Sequence, residues 1–341
     1  MANIDLMMDG FERYGSTTGA AGEPPLQGRW STFDISVINS GHASAPSGGI
    51  KTGTYVAHCG NTQGIWTLAA AISEAYFGFA RHTQSVPSQR NFFAVRDGGT
   101  THINIRENTD RTVSAVNGDG TVLGTTTEVM SATWTYIEVY VKVDDAAGVV
   151  TIKFNGTEVL ALTAVDTRNG GNATFDRFPI GGGTTNTWFD DLYASSLGFA
   201  GPIGIYNRAP SGAGTVAQFT RGGSDSGFNW SQVDEVGPNS DTDYNLSSTV
   251  GHKDSYAAAN LPDSAGAVRG VDVYAFAKKS DTGSRTFKNR IISGGNPFSG
   301  SSKTPTTDYL YYDNLWAQDP DTSADWIQAD VDALEIGLEV V

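Results

Sequence analysis

Residues 135–162, TYIEVYVKVDDAAGVVTIKFNGTEVLAL, alternate apolar and polar side chains over most of their length. Ile137, Val139, Val141 and Val143 fall on one side, and Tyr136, Glu138, Tyr140 and Lys142 on the other. Successive side chains of a strand point to opposite faces, so this period of two predicts a half-buried strand. Asp144–Gly148 supplies a turn, and Val150, Ile152 and Phe154 make the apolar face of a returning strand. Asn155-Gly156 tolerates the positive φ of a tight type I′ hairpin, after which Leu160 and Leu162 line a third strand. The pattern is an antiparallel meander with one wet face. Its dry face needs a second sheet to cover it.

A chain of 341 residues exceeds what one compact core usually serves, so two domains are expected. The same style continues through TYVAHCG, IWTLAAAI, AYFGFARH, RNFFAVRD, THINIREN and NTWFDDLYAS. With 41 glycines, 11% aromatic and only 17% charged residues, this reads as an all-β protein rich in turns. Gly and Pro gather at 197–214, which places the boundary between a first domain, 1–198, and a second, 199–341. Strand patterns resume at AVRGVDVYAFAKKS, SRTFKNRIISGG and DYLYYDNLWAQ. Phe189–Ala194 and Tyr312–Ala317 share the pattern aromatic-Asp-Asp/Asn-Leu-aromatic-Ala, a faint echo between the halves. Near the C-terminus Thr322 and Asp325 resemble a helix cap, Ile327, Val331 and Leu334 share one helical face, and Gly337 offers a stop. A short amphipathic helix of two to three turns is expected there, docked on the second domain or on a neighbouring subunit.

Acidic residues number 37 against 22 basic, for a net charge of −15. Nucleic acid is disfavoured as a partner, because binding phosphates takes clustered Lys and Arg. An anionic membrane surface is disfavoured for the same reason, and no run approaches the roughly 18 apolar residues of a membrane span. Cys59 is the single cysteine, so no intrachain disulfide forms. The N-terminus, MANIDLMMDGFERYG, has neither the cationic region nor the apolar run of a secretory signal, which points to folding in a cytoplasm.

No catalytic constellation is written locally. Glu-x-Asp-x-Glu, which would aim carboxylates from one strand into a cleft, does not occur, and Asp190-Asp191, as strand neighbours, should face apart. Gly-x-Ser-x-Gly, His-Glu-x-x-His and the phosphate-binding glycine loop are missing, and Lys51-Thr52-Gly53 reads as a turn. His42, His58, His82, His102 and His252 are scattered singly, and His58 should face away from Cys59. The expectation is therefore a protein without enzymatic activity and without a cofactor. Calcium is the one ion left open, through Asp and Asn oxygens of 241–245, 319–322 and Asp190-Asp191, although an Asx turn or a cap explains each. Trp66, Trp188 and Trp316 lie in strands and belong to cores. Trp230, in the long polar segment 222–243, is the candidate contact or glycan-stacking residue.

The opening MMDGFERYG with WFDDLYAS resembles the concanavalin A/laminin-G-like jelly rolls of tailed-phage structural proteins. QVDEVGPNSDTDYNLSSTVGHKDSY and the ending DPDTSADWIQADVDALEIGLEVV are similar to the C-terminal part of many such chains. The resemblance implies a concanavalin-like jelly-roll sandwich followed by a smaller β domain with the short C-terminal helix. It further implies a non-enzymatic virion component of decoration, tail or fibre type, assembled in the host cytoplasm. Such a component would act through multivalent contacts with itself as a homo-oligomer and with other virion proteins. Two alternatives stay open: an adhesin that binds a host-surface glycan, and a carbohydrate-active depolymerase.

Overall fold

The computed structural model describes the chain except for residues 16–28, 34–35, 40–50, 60–61, 85, 87, 183–185, 225–226 and 264–265. His42 and part of the 222–243 segment therefore lie outside the described residues. The chain packs as two units. Met1–Glu12 and Trp30–Ile205 build the first, and Arg13–Gly15, Arg29 and Tyr206–Val341 belong to the second.

The first unit opens with β1 (Met7–Asp9), β2 (Trp30–Phe33), β3 (Ser36–Asn39), β4 (Tyr55–Cys59) and β5 (Gln63–Ile72). The long strands β6 (Glu74–Thr83), β7 (Arg90–Asp97) and β8 (Thr100–Glu107) follow, then β9 (Val113–Asn117) and β10 (Val122–Thr125). The meander forms β11 (Thr135–Lys142), β12 (Gly148–Phe154) and β13 (Thr157–Val165), and β14 (Phe175–Gly181) and β15 (Thr187–Ser195) complete the unit. They make two antiparallel sheets. One has eight strands in the order β13-β12-β11-β6-β15-β4-β3, with β1 added on β15. The other has seven, in the order β10-β9-β8-β7-β14-β5-β2.

Alternate residues of both sheets meet in an aromatic core. Phe77 of β6 lies 4.9 Å from Phe93 and 5.1 Å from Phe178 between ring centroids, and all three are buried. Within the same layer the Glu107 carboxylate accepts from Arg81 at 2.6 Å and from Arg90 at 3.0 Å, all three side chains buried. Removing one member of such a group strands the others in a poorly solvated site.

The meander forms in the expected register, with Val139 opposite Ile152 and Val141 opposite Val150. Asn155 (φ 50°) and Gly156 (φ 85°) take the positive φ of the tight turn. Its second face, however, is wet only in part: Tyr140 and Lys142 keep solvent exposure. Tyr136 and Glu138 are as buried as the valines. The Tyr136 hydroxyl donates to the Asp191 carbonyl at 3.0 Å, and Glu138 accepts from the Tyr193 hydroxyl at 2.7 Å and from Gly201 N–H at 2.8 Å. Residues 197–205 fold back over this face, which is why polar groups that looked solvated are hydrogen-bonded inside.

The second unit contains β16 (Pro210–Ala217), β17 (Thr220–Gly223), β18 (Asp243–Leu246), β19 (Lys253–Ala258), β20 (Val271–Ala277), β21 (Phe287–Ser293), β22 (Asn296–Lys303) and β23 (Leu310–Trp316). A single-turn helix α1 (Gln328–Asp332) and β24 (Glu335–Val340) close the chain. Five strands form one sheet in the order β16-β19-β24-β21-β22, while β17 pairs β18 and β20 pairs β23. The C-terminal segment is not the two- to three-turn helix its pattern suggests. Thr322 sits in a turn, donating to Asp319 at 3.1 Å, and α1 begins only after Ile327. Gly337 does not stop a helix. It lies inside β24, at the centre of the sheet, where a side chain would collide with the Asp254 carbonyl. Leu334 and Trp326 are nevertheless buried, packed with Val273 and Ile291.

Charge is also buried in this unit. Arg29 pairs with Asp272 and with Asp313, each at 2.9 Å, and Arg13 reaches Asp272 at 3.2 Å. The echo strands differ in setting: β15 is internal to the eight-stranded sheet, whereas β23 has β20 as its partner. The fold is all-β, a jelly-roll-like sandwich and a second, smaller β unit with one short helix near the C-terminus.

Candidate functional site

Each sheet of the sandwich has an outer face, and the two differ. On the eight-stranded sheet the outward Tyr136, Glu138 and Tyr193 lie beneath residues 197–205, with Ala200 N–H donating to the Tyr193 hydroxyl at 3.0 Å. On the seven-stranded sheet alternation sends Phe93, Val95, Ile103, Ile105, Phe178 and Ile180 into the core. Their neighbours Arg96, Asn104, Arg106 and Arg177 therefore project outward. Gln63 and Thr67 of β5, on the opposite face from the buried Trp66, share that face, as does the exposed Asn91. All of these keep solvent exposure. Amide, hydroxyl and guanidinium groups thus line a face with small or flat residues, Ala94 and Pro179, at its floor.

Register brings two of the cations together. Arg96 and Arg177 are cross-strand partners on β7 and β14, and Thr67 and Thr101 extend the same row on either side. Arg96 Nη2 donates to Gln63 Oε1 at 3.5 Å, and burial of its stem pulls its pKa below the usual arginine value. Arg177 Nε stands 3.4 Å from the Asp176 carboxylate, with both side chains partly exposed. The other Asp176 oxygen accepts from Gly98 N–H at 2.9 Å, and Asp97 accepts from Asn172 at 2.8 Å. Arg106 lies toward the far end of β8, opposite Asn91, without a carboxylate partner among the described residues. None of these residues stood out in the sequence. Their signal was the single arginine between core residues in NFFAVRD, NIREN and FDRFPI. The pairing of β14 with β7 could not be read, because those strands are about 80 residues apart in a chain whose sheet order is not sequential.

The acidic pair of β15 occupies the covered side. A bulge and a positive φ of 51° at Asp191 break the alternation, so Asp190 and Asp191 do not face apart. Both converge on Thr52, Asp190 accepting from its N–H at 3.0 Å and Asp191 from its hydroxyl at 2.7 Å. Asp191 also accepts from Ile205 N–H at 2.7 Å, and Glu12 accepts from Thr54 and Tyr55 N–H at 2.6 and 2.7 Å. Burial raises all three carboxylates, Asp191 to about 6. These groups hold the 51–55 segment and the chain at Ile205 against the sheet.

The other calcium candidates are similarly engaged. Asp241 accepts from Lys278 at 2.7 Å and from the Tyr309 hydroxyl at 2.9 Å. Asp319 accepts from the Ser293 hydroxyl at 2.7 Å and from Asp321 N–H at 3.1 Å. Among the described residues no group of three or more His, Cys, Asp or Glu side chains is placed to hold a metal ion. His102 is buried, its Nδ1 accepting from Asn169 N–H at 3.1 Å. His58 stacks on Trp188 at 5.6 Å while the adjacent Cys59 is buried on the core side, its thiol pushed up by burial. Trp66 and Trp188 are core residues and Trp316 packs beside Trp326.

Trp230 is half-buried on the 3-10 turn Asn229–Gln232 of the second unit. Its ring lies parallel to that of Phe228 at 6.4 Å, and Phe228 is 67% exposed. Asn229 anchors this turn by donating to Asp254 at 2.6 Å, and Asp254 also accepts from Gln218 and Phe219 N–H.

No family model matches the chain, and no curated protein does. Solved structures do. An alginate lyase, Aly36B, crystallised as a double mutant with an alginate tetrasaccharide, is 15% identical over 57% of this chain and 98% of its own, with a TM-score of 0.35. A sialidase is 12% identical over 57% of this chain and 19% of its own, at the same TM-score. The sialidase of Trypanosoma rangeli is 10% identical over 53% of this chain and 29% of its own, with a TM-score of 0.34. The chain thus spans under a third of the length of these sialidases and nearly all of the lyase. These are carbohydrate-active enzymes, and the expected assignment as a structural component of a phage virion is withdrawn.

Proposed function

We propose that this chain is a carbohydrate-directed protein whose first unit holds a polysaccharide on the outer face of the seven-stranded sheet. One observation carries this reading: of the two outer faces of the sandwich, this one keeps its amide, hydroxyl and guanidinium groups exposed, whereas on the other Tyr136, Glu138 and Tyr193 lie beneath residues 197–205. Gln63, Asn91 and Asn104 each present a donor and an acceptor, which suits the hydroxyls of a sugar chain. Ala94 and Pro179, the small and flat residues between them, add no bulky side chain to this face.

The test is retardation of the full chain in gels containing a panel of neutral and acidic polysaccharides, with released reducing ends assayed in parallel. Retardation by at least one polymer, abolished by Asn104→Trp without loss of the folded signal, is the expected result. Migration unaffected by every polymer contradicts the reading. Release of reducing ends would extend it from binding to depolymerisation.

A further inference from the structure

The pairing of Arg96 with Arg177 runs against the interest of stability. Like charges directly opposite on an antiparallel pair repel each other, with Cβ atoms roughly 5 Å apart. Four buried arginines are compensated by carboxylates: Arg81 and Arg90 share Glu107, and Arg29 and Arg13 share Asp272, while the buried Arg290 has no carboxylate within ion-pair distance among the described residues. The outer-face pair is treated differently. Asp176 stands 3.4 Å from Arg177, but one of its oxygens is already taken by Gly98 N–H, and Arg96 has only the neutral Gln63 amide at 3.5 Å. The Nε atoms of Arg96 and Arg106 are shielded from solvent without a hydrogen-bond partner, whereas that of Arg177 faces the Asp176 carboxylate at 3.4 Å. Such guanidinium stems lie along the sheet and present planar forks outward.

Resting on the reading of this face as a polysaccharide site, we infer that the polymer it takes is acidic, with a carboxylate seated between Arg96 and Arg177. A planar carboxylate accepts in bidentate fashion from such forks, and its charge turns the repulsion between them into two attractions. Arg106 lies about five residues farther along the strands, ~16 Å at the usual strand rise, on the same face. A third cation at that distance suits a chain that repeats its charge over several sugar units rather than one small acid. The net charge of −15 does not oppose this, since at physiological salt charges act within a Debye length of about 8 Å. The carboxylates beside the row, Asp97 and Asp176, are held by Asn172, Gly98 and Arg177.

The probe is polygalacturonate, and the control is the same polymer fully methyl-esterified, which keeps the chain and removes its charge. The acidic form should bind the full-length protein at least tenfold more tightly. Arg96→Gln with Arg177→Gln should weaken it about ten- to a hundredfold, the range expected for lost hydrogen bonds to a charged group. The melting temperature should stay level or rise, because a repulsion has been removed; a purely structural role would lower it. Equal binding of both forms, unchanged by the double variant, overturns the acidic assignment and leaves the polysaccharide reading standing. Binding of neither form, nor of any neutral polymer in the panel, overturns that reading as well.

Discussion

The two outer faces of the sandwich carry the same kind of alternating strand and end in opposite states. On β11 the outward Tyr136 and Glu138 are large and polar, and a returning segment covers them: Glu138 takes Tyr193 and Gly201, and the Tyr193 ring lies over Gly78 of β6. On β7, β8 and β14 the outward residues are arginine, asparagine and small groups, and they remain open. A polar face is thus either a buried hydrogen-bond layer or a recognition surface. What decides between them is whether another part of the chain brings donors and acceptors to it. Buried polar groups must be paired, whereas open ones are free to meet a ligand.

The sharpest way to break this contrast is Gly78→Ala. A methyl group there would run into the Tyr193 ring, so the variant should lose about 3 kcal/mol or more by denaturant unfolding. Asn104→Ala, on the open face, should change stability by no more than about 0.5 kcal/mol. Glu138→Ala comes next. It leaves the Tyr193 hydroxyl and Gly201 N–H without their acceptor, a loss of about 2–4 kcal/mol from two buried groups. Glu138→Gln should recover part of it.

The acidic layer under the cover gives a dependence on pH. Asp191 is raised from 3.8 to about 6, so the folded state binds its proton more tightly than the unfolded state does. The stability this contributes is fully present below about pH 4 and is lost as pH rises through about 6, by up to about 3 kcal/mol. Asp190 and Glu12 shift in the same direction. Between pH 4 and 7 the wild type should therefore lose stability more steeply than Asp191→Asn, as read by chemical denaturation at each pH. Equal slopes would remove the buried acids from the account. The smallest effect is Arg177→Gln alone, expected to raise stability by at most about 0.5 kcal/mol.

Much of the sheet structure was legible because its signal is local. Strand alternation and the Asn155-Gly156 turn correctly placed β11 to β13. The burial of Tyr136 and Glu138 was not legible, since their cover arrives from 197–205 and pairs groups far apart in sequence. Asp190 and Asp191 were expected to face apart, and a bulge with a positive φ defeated the period of two. Gly337 looked like a helix stop because glycine serves both purposes. Only the approach of the Asp254 carbonyl in the neighbouring strand shows that it is needed inside a sheet. The candidate site was the least legible part. Arg96 and Arg177 become a pair only through the register of β7 with β14, and neither arginine announces it alone.

The most direct measurement is hydroxyl-radical footprinting of the protein with and without a bound polysaccharide. Protection of outer-face side chains on β5, β7, β8 and β14, with Trp230 and Phe228 unchanged, is the predicted result. Protection confined to the Phe228–Trp230 turn, with the seven-stranded face still reactive, would contradict the account and place recognition in the second unit.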